Sequence, residues 1–183
     1  MSENPWTILD SRIIYDNPWI TLHEHKVINP AGNEGIYGVV SPKNYAIAIV
    51  PLDEELNTWL VGQYRFSIDK YSWEIPEGGG PKKDDPLESA KRELKEETGI
   101  EAKEWKEIGH CYTSNSIMDE KGIIFVARQL SFGTSSPGET EQLKVRKLPF
   151  SEVVEMALKG GITDALALAA IYKVQLMLDR KLL

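Results

Sequence analysis

The first third of the chain alternates apolar and polar residues in short runs, the pattern typical of β-strands. Three such runs, Arg12–Tyr15, Trp19–Ile28 and Gly35–Val40, are separated by Asp-Asn-Pro and Asn-Pro-Ala-Gly turn signals. The next run, Tyr45–Leu52, is almost wholly apolar, which is typical of a strand buried on both faces. Trp59–Phe66 follows a polar turn, and we expect it to pair with Tyr45–Leu52.

A glycine run, Gly78–Pro81, precedes the strongest helix signal of the chain, and we expect this run to form a loop. Asp85 can serve as the N-cap, Pro86 suits the first helical position, and Glu88 completes a capping-box arrangement. Apolar residues then recur at helical spacing until Gly99, which is placed to end the helix.

The remainder of the chain predicts three strands and then two helices. The strands lie near Trp105–Thr113, Gly122–Leu130 and Leu143–Leu148, and the helices follow Ser151, read as a cap, and Thr163. Many strands with few helices packed against them predict a mixed α+β sandwich. We expect a small additional antiparallel sheet at the N-terminus.

Composition narrows the function classes. A length of 183 residues suits one domain, and we expect residues 1–183 to form it. The formal net charge of −7 argues against nucleic acid or an anionic membrane as partner, but not against a small anion held through metal ions. The single cysteine, Cys111, permits no intramolecular disulfide, and no apolar run approaches a membrane span or signal peptide. We therefore expect a cytoplasmic protein.

Three glutamates of the predicted helix, Glu93, Glu96 and Glu97, lie at positions i, i+3 and i+4 and so on neighbouring parts of one face. Their like charges repel, and a bound divalent cation would turn that repulsion into attraction. A solvated acidic face is the alternative. The glycine run before the helix and the specific string Arg92–Ile100 favour the metal site.

The segment from Gly78 to Ile100 resembles the Nudix box, in which a glycine, five residues, a glutamate and seven residues precede Arg-Glu-aliphatic-x-Glu-Glu-x-Gly-aliphatic. Gly78 takes the opening position, and Arg92–Ile100 match the closing string. Asp84 stands where the family has a glutamate. Because aspartate keeps the carboxylate, we expect this departure to tune activity and not to abolish it.

Other segments resemble the ADP-ribose pyrophosphatase branch of that family. They are Gln63-Tyr64-Arg65, Tyr71–Gly78, the substrate-loop-like Tyr112–Glu120, and Gly160–Asp164. The substrate loop carries Ser114-Asn115-Ser116 where the branch usually has Ser-Pro-Gly, and this departure bears on substrate choice more than on the fold.

The resemblance implies a Nudix αβα sandwich with a mixed sheet and a metal-dependent hydrolase. Glu93 and Glu97 would be the main ligands of Mg²⁺, with Mn²⁺ as an alternative, and Glu96 a third ligand or a residue supporting them. The carbonyl of Glu77 would add a ligand. Arg92 would hold a carboxylate in place through its guanidinium fork.

The implied reaction is hydrolysis of a pyrophosphate bond. Metal ions neutralise the anionic oxygens and activate a water, and a carboxylate accepts its proton. In this branch the base comes from an acidic loop, which makes Glu139 and Glu141 the candidates; an ordinary hairpin loop is the alternative. ADP-ribose would give AMP and ribose 5-phosphate.

Five further residues are candidates for substrate binding. Arg65 would contact phosphate or ribose, unless it forms a structural ion pair. Glu74 would be an additional ligand or a substrate contact, and Glu120 belongs to the substrate-loop segment. Either Trp19 or Tyr37 would stack on the base, with core packing as the alternative for each.

The branch is usually dimeric through intertwined N-terminal strands, so the resemblance also implies a homodimer formed through residues 1–42. Alternative substrates are GDP-mannose or another nucleotide sugar, and a dinucleoside polyphosphate. An alternative of another class is a Nudix-like sensor that binds a nucleotide without hydrolysing it, although such proteins often lose the glutamates that this chain keeps. A structural domain with a solvated acidic helix is the last alternative.

Overall fold

A computed structural model describes residues 3–136 and 142–183 of the chain. The contacts divide the chain into two compact units. The first comprises the chain up to Asn44 together with Tyr112–Glu120, and the second comprises Tyr45–Cys111 and Lys121–Leu183.

The first unit contains a three-stranded antiparallel sheet. Its strands are, in spatial order, β1 (Thr7–Asp16), β2 (Ile20–Ile28) and β3 (Glu34–Pro42). Two asparagines shape the turns, because their side chains accept backbone N–H groups: Asn17 caps the β1–β2 turn and Asn29 the β2–β3 turn. The three predicted strands and the small N-terminal sheet are confirmed.

The second unit contains, among the described residues, the remaining strands, three α-helices and a short 3-10 helix, Phe66–Ile68. The strands are β4 (Asn44–Pro51), β5 (Asn57–Arg65), β6 (Lys70–Glu74), β7 (Glu77–Pro81), β8 (Ile100–Tyr112), β9 (Lys121–Phe132) and β10 (Lys144–Pro149). The helices are α1 (Pro86–Thr98), α2 (Phe150–Leu158) and α3 (Ala165–Asp179). The strands form a four-stranded sheet, β7-β4-β9-β8, and a three-stranded sheet, β10-β5-β6.

Strand β4 is buried on both faces, as its apolar sequence predicts. One face contributes to what we call the α1-side cluster, whose buried members include Ile47, Ile49, Ala90, Leu94 and Phe125. The other face contributes to the α2–α3-side cluster, whose buried members include Ala48, Val50, Val126, Val153 and Ala170. Helices therefore cover both faces of the sheet, and β4 pairs in parallel with β9, which confirms the predicted αβα sandwich with a mixed sheet.

The predicted pairing of Trp59–Phe66 with Tyr45–Leu52 is wrong. Strand β5 pairs with β10 and β6, whereas β4 lies between β7 and β9. The turn that joins β4 to β5 contains Leu56 in the left-handed region, with φ of 59°. It carries the chain from one sheet to the other, which local sequence signals do not distinguish from a hairpin.

Both C-terminal helices are present, but their caps differ from expectation at one position. Helix α2 begins at Phe150 without a side-chain cap, and Ser151 lies inside it. The N–H of Phe150 donates to the carbonyl of Leu56 at 2.8 Å, so a tertiary contact replaces the serine cap. Helix α3 is capped by Asp164, whose carboxylate accepts the N–H of Ala167 at 2.8 Å. Within residues 3–136 and 142–183, the helices are too short or too polar to span a bilayer.

Candidate active site

Helix α1 begins and ends where the sequence predicts. The Asp85 carboxylate accepts the N–H of Leu87 at 3.0 Å, and Pro86 occupies the first turn. Gly99 adopts a left-handed conformation with φ of 72°, and its N–H donates to the carbonyl of Lys95 at 2.8 Å. These caps hold both ends of the helix that carries the predicted metal ligands.

The predicted capping box is incomplete. The Glu88 carboxylate accepts the Lys91 ammonium at 2.6 Å, three residues along the same helix, and does not bond the N–H of Asp85. An exposed ion pair therefore replaces the reciprocal bond, and Asp85 alone caps the helix. Asp84, the departure from the box, is exposed on the turn before it.

The glycine run forms strand β7 and not a loop. A Cβ at Gly78 would overlap the Glu93 carboxylate, and a Cβ at Gly80 would lie 2.9 Å from the Cβ of Ser89. The glycines therefore let α1 lie directly against the strand backbone. The group that approaches this backbone closely is a side chain of the helix.

Glu97 is turned into the protein and not towards solvent. It is 3% exposed and lies among the buried residues of α1, which include Ala90 and Leu94. Its carboxylate accepts the N–H of Glu77 at 3.1 Å. Leu94 is fully buried and anchors the helix in the core, but the glutamates do not all lie on the exposed face.

Arg92 links the acidic residues of α1 to the glycine strand. Its guanidinium donates to the carboxylates of Glu93 at 2.6 Å and Glu96 at 2.8 Å, and to the carbonyl of Gly79 at 2.9 Å. Charge-assisted bonds of this kind orient carboxylates and offset their mutual repulsion. The side chain of Glu93 is 13% exposed and that of Glu96 is 40% exposed.

The oxygen atoms at this junction are of the chemical kind that a hard divalent cation such as Mg²⁺ prefers as ligands. Carboxylate oxygens of Glu93 and Glu97 and backbone groups of Glu77 and Gly78 meet within one turn of α1 and one end of β7. In the part of the chain that the structure describes, no three acidic, histidine or cysteine side chains are arranged as a complete metal centre. Glu93 and Glu96 instead bond Arg92.

Arg65 and Glu74 form an ion pair across β5 and β6. The Arg65 Nε donates to both carboxylate oxygens of Glu74, at 3.0 and 3.1 Å, and a terminal nitrogen also contacts that carboxylate. Glu74 is 3% exposed, whereas the side chain of Arg65 is 38% exposed. The bond to Glu74 raises the pKa of Arg65. The ion pair anticipated as an alternative for Arg65 is therefore present.

The Glu77 side chain lies in a cluster that the sequence does not reveal. Burial, and then the nearby charges of Asp164 and Glu74, raise the pKa of its carboxyl well above the usual value. Its Oε1 is buried and finds no hydrogen-bond partner among the described residues. Asp164 joins this group from the start of α3. Asp164 lies in the Gly160–Asp164 segment, which resembles the ADP-ribose pyrophosphatase branch. The sequence does not predict that Asp164 lies beside Glu77, because the two residues are brought together only by tertiary packing.

The remaining predicted residues lie in the first unit or outside the described residues. Trp19 is 71% exposed. Tyr37 donates its hydroxyl to the carbonyl of Ser116 at 2.6 Å and packs edge-on against the exposed Trp6, outside both core clusters, and its stacking on the base stays a prediction. Glu120 accepts the hydroxyl of Thr113 at 2.6 Å. The candidate bases, Glu139 and Glu141, lie outside the described residues.

Two family models match the chain. Residues 42–169 match the NUDIX domain, and residues 6–40 match the nucleoside diphosphate sugar hydrolase N-terminal domain. Because the first match covers more than half of the chain, this protein belongs to the NUDIX family. The resemblance drawn from the box and the assignment to Nudix hydrolases are thereby confirmed.

The chain is also similar to individual proteins. It is 27% identical over 181 residues to the ADP-ribose pyrophosphatase of Mycobacterium tuberculosis (strain ATCC 25618 / H37Rv), covering 95% of this chain and 85% of that protein. It is 32% identical over 133 residues to the methanol dehydrogenase activator of Bacillus methanolicus, covering 72% of each. A crystal structure of an ADP compounds hydrolase superposes with a TM-score of 0.87 at 21% identity, covering 99% of this chain and 98% of that one; this likeness supports the fold.

Proposed function

We propose that this Nudix hydrolase cleaves the pyrophosphate bond of ADP-ribose, giving AMP and ribose 5-phosphate. One observation carries the proposal: the backbone at Glu77 and Gly78 meets the carboxylates of Glu93 and Glu97. Close approach of helix carboxylates to a strand backbone concentrates hard oxygen donors at one point. The name of the mycobacterial relative supports ADP-ribose as the substrate.

Four residues would hold a divalent cation, with Mg²⁺ preferred and Mn²⁺ as the alternative. Glu93 and Glu97 would contribute carboxylates, Glu77 its carbonyl, and Glu96 a third carboxylate. When bound, the cation neutralises charge on the pyrophosphate oxygens and acts as a Lewis acid. Arg92 already orients Glu93 and Glu96 through bonds of 2.6 and 2.8 Å, and we assign it that positioning role in the active enzyme.

The remaining roles follow from charge. Glu141 or Glu139 would accept the proton of the attacking water. Arg65 would present its exposed edge to the substrate while Glu74 fixes the other edge of the guanidinium. Trp19 would contact the base and Glu120 would contact the substrate.

The first experiment is AMP release from ADP-ribose in Mg²⁺, repeated in Mn²⁺ and with a chelator. We expect turnover that the chelator abolishes. Binding of ADP-ribose without turnover in either metal would instead identify a nucleotide sensor, and neither binding nor turnover would remove ADP-ribose as the substrate.

A nucleotide-sugar pyrophosphatase is the second candidate, because residues 6–40 match a nucleoside diphosphate sugar hydrolase N-terminal domain. Both activities break the same bond and differ in the group beyond the diphosphate. Comparing kcat/KM for ADP-ribose, GDP-mannose and a dinucleoside polyphosphate separates them. A higher value for GDP-mannose would replace the leading proposal.

We also propose a homodimer formed through residues 1–42. All ten residues of β1 are exposed, including Ile8 at 59% and Ile13 at 61%, so neither face of this strand is covered within one chain. Light scattering should give the dimer mass. Ile13→Lys should lower that mass towards the monomer, whereas Asp10→Ala in the same strand should not.

The single cysteine, Cys111, supports the proposed cytoplasmic location, which cell fractionation tests.

A further inference from the structure

A cavity of about 610 Å³ opens in the second unit between strands β8 and β9 and the segment that follows α3. We call it the β8–β9 cavity. Its lining includes Lys103, Glu104, Lys106, Val126, Arg128 and Leu182. Three of these side chains are cationic and one is a carboxylate, in a chain whose formal net charge is −7. Positive charge is therefore concentrated here against the overall balance.

An irregularity in β9 lies directly beside the cavity. The β9 residues that pack in or against the α1-side cluster are Ile123, Phe125, Ala127 and Leu130. Strict alternation would place Gln129, and not Leu130, on that face. Gln129 instead adopts a φ of 55°, which is uncommon for a residue other than glycine. The strand thereby contains one extra residue, as at a β-bulge, and Leu130 lies on the face where alternation would place Gln129. Arg128, two residues after the cavity-lining Val126, lines the cavity next to this irregularity.

Among the described residues, the cationic side chains of the cavity form no ion pair. The Glu104 carboxylate accepts the side-chain amide of Gln129, so it is occupied by a neutral partner. Lys106 donates to the carbonyl of Leu182 at 2.9 Å, which holds one wall of the cavity. No described residue forms an ion pair with Arg128, although Arg128 is half-buried. A half-buried guanidinium without an acceptor favours an anionic ligand.

The cavity is separate from the candidate active site. Val126, which lines it, belongs to the α2–α3-side cluster, whereas helix α1 packs on the opposite face of the sheet through Ala90 and Leu94. The sheet β7-β4-β9-β8 therefore stands between the cavity and the glutamates of α1.

We propose that the β8–β9 cavity is a binding site for a small organic phosphate. A cavity of this volume lies within the range of small-molecule sites, about 300–1,000 Å³. The planar fork of Arg128 matches the geometry of phosphate oxygens, and Lys103 and Lys106 add point charges. The site would bind its ligand without hydrolysing it, because the one acidic side chain of its lining, Glu104, is already bonded to Gln129.

The test uses AMP as the probe and the full-length protein without added divalent metal. Lys106 lines the cavity and bonds the carbonyl of Leu182 in its wall, so the backbone amide signal of Lys106 in a ¹⁵N-correlated NMR spectrum is a local reporter. We expect a saturable shift of that signal with AMP and none with adenosine, which lacks the phosphate.

Two arginine variants make the test specific. Arg128→Gln should weaken AMP binding about tenfold. Arg146→Gln should leave it unchanged, because Arg146 is exposed on β10 and its side chain forms no hydrogen bond or ion pair with another described residue. Arg128→Lys, which keeps the charge and loses the fork, should fall between them. Unchanged dispersion of the tryptophan indole signals checks that the variants are folded.

Three results would overturn the proposal: an unmoved Lys106 amide signal at saturating AMP, equal affinities of Arg128→Gln and Arg146→Gln, or equal binding of adenosine and AMP. Because the measurement involves no turnover, its outcome is independent of whether the enzyme hydrolyses ADP-ribose. AMP held at the α1 site alone would leave both arginine variants with wild-type affinity and would count against the β8–β9 cavity.

Discussion

Gly78→Ala adds one methyl group where β7 meets α1. The added Cβ would overlap the Glu93 carboxylate, which is the mobile end of a flexible side chain. At Gly80, two residues along the same strand, the added Cβ would lie 2.9 Å from the Cβ of Ser89, an atom attached to the helix backbone. Glu93 can move aside and Ser89 cannot. The two substitutions should therefore separate activity from stability.

The free energy of unfolding should change by less than about 1 kcal/mol in Gly78→Ala. Lost freedom of the unfolded chain stabilises the variant by about 0.4–1 kcal/mol. Loss of the contact between Arg92 and Glu93, whose side chains are 45% and 13% exposed, costs about 0.2–1 kcal/mol and offsets that gain. In Gly80→Ala, overpacking should destabilise the protein by about 1–3 kcal/mol.

The loss of turnover should be larger in Gly78→Ala than in Gly80→Ala, which is the opposite of the order expected for stability. Displacing Glu93 by about the width of a methyl group should lower kcat/KM for ADP-ribose by roughly 100-fold in Gly78→Ala, because misplacement by about 1 Å has effects of that size. The change should also raise the Mg²⁺ concentration needed for half-maximal rate. Gly80→Ala should keep much of its activity while it remains folded.

The assays are urea unfolding and AMP release across a Mg²⁺ titration. Gly38→Ala on β3 is the control, because its Cβ would meet no atom within 4 Å. Wild-type turnover and wild-type Mg²⁺ dependence in folded Gly78→Ala would refute the assignment of Glu93 as a metal ligand. A loss of stability above about 3 kcal/mol would refute the view that Glu93 moves aside.

Three other predictions follow from the described contacts. Glu97→Gln should keep the fold, since an amide oxygen can still accept a backbone N–H, but lose several orders of magnitude of turnover; unimpaired AMP release would contradict its role. Burial opposes ionisation of Asp53, but hydrogen bonds, the largest from Lys147, outweigh it and lower its pKa to about 2 from 3.8. The ionised Asp53 should therefore stabilise the folded protein by at most about 2 kcal/mol. This contribution should be complete above pH 3.8 and disappear as the pH falls towards 2. An equal dependence of urea unfolding on acid pH in Asp53→Asn and the wild type would contradict this. Arg65→Met leaves Glu74 buried without its cation and should cost about 2–4 kcal/mol in urea unfolding, and a cost below about 1 kcal/mol would show that Glu74 finds another partner.

Local signals predicted helix α1 well, because the groups that define its ends are close in sequence. Asp85 caps a backbone N–H two residues away, and the left-handed Gly99 closes the last turn with a bond to Lys95. The glutamates were likewise found from their spacing along one helix. Strand β4 was recognised because burial on both faces requires an unbroken apolar run.

Contacts between distant segments were beyond the reach of these signals. The turn after β4 looks the same in sequence whether the next strand pairs with β4 or crosses to another sheet, and β5 pairs with β10. The serine expected to cap α2 is not used, because the carbonyl of Leu56, nearly a hundred residues earlier in the chain, accepts the N–H of Phe150.

The sequence by itself determined the family, most of the elements and the acidic residues of α1, since these depend on spacing within one helix or strand. Tertiary structure alone decided which carboxylate is buried and what each one touches. Glu97 turns inward onto the N–H of Glu77, and Glu93 lies against Gly78, because β7 packs along α1. Asp164 meets Glu77 because α3 begins beside β7. The burial and the electrostatic environment of a carboxylate depend on groups distant in the chain. The spacing in the sequence therefore predicts which carboxylates are candidate ligands, and the packing determines their environment.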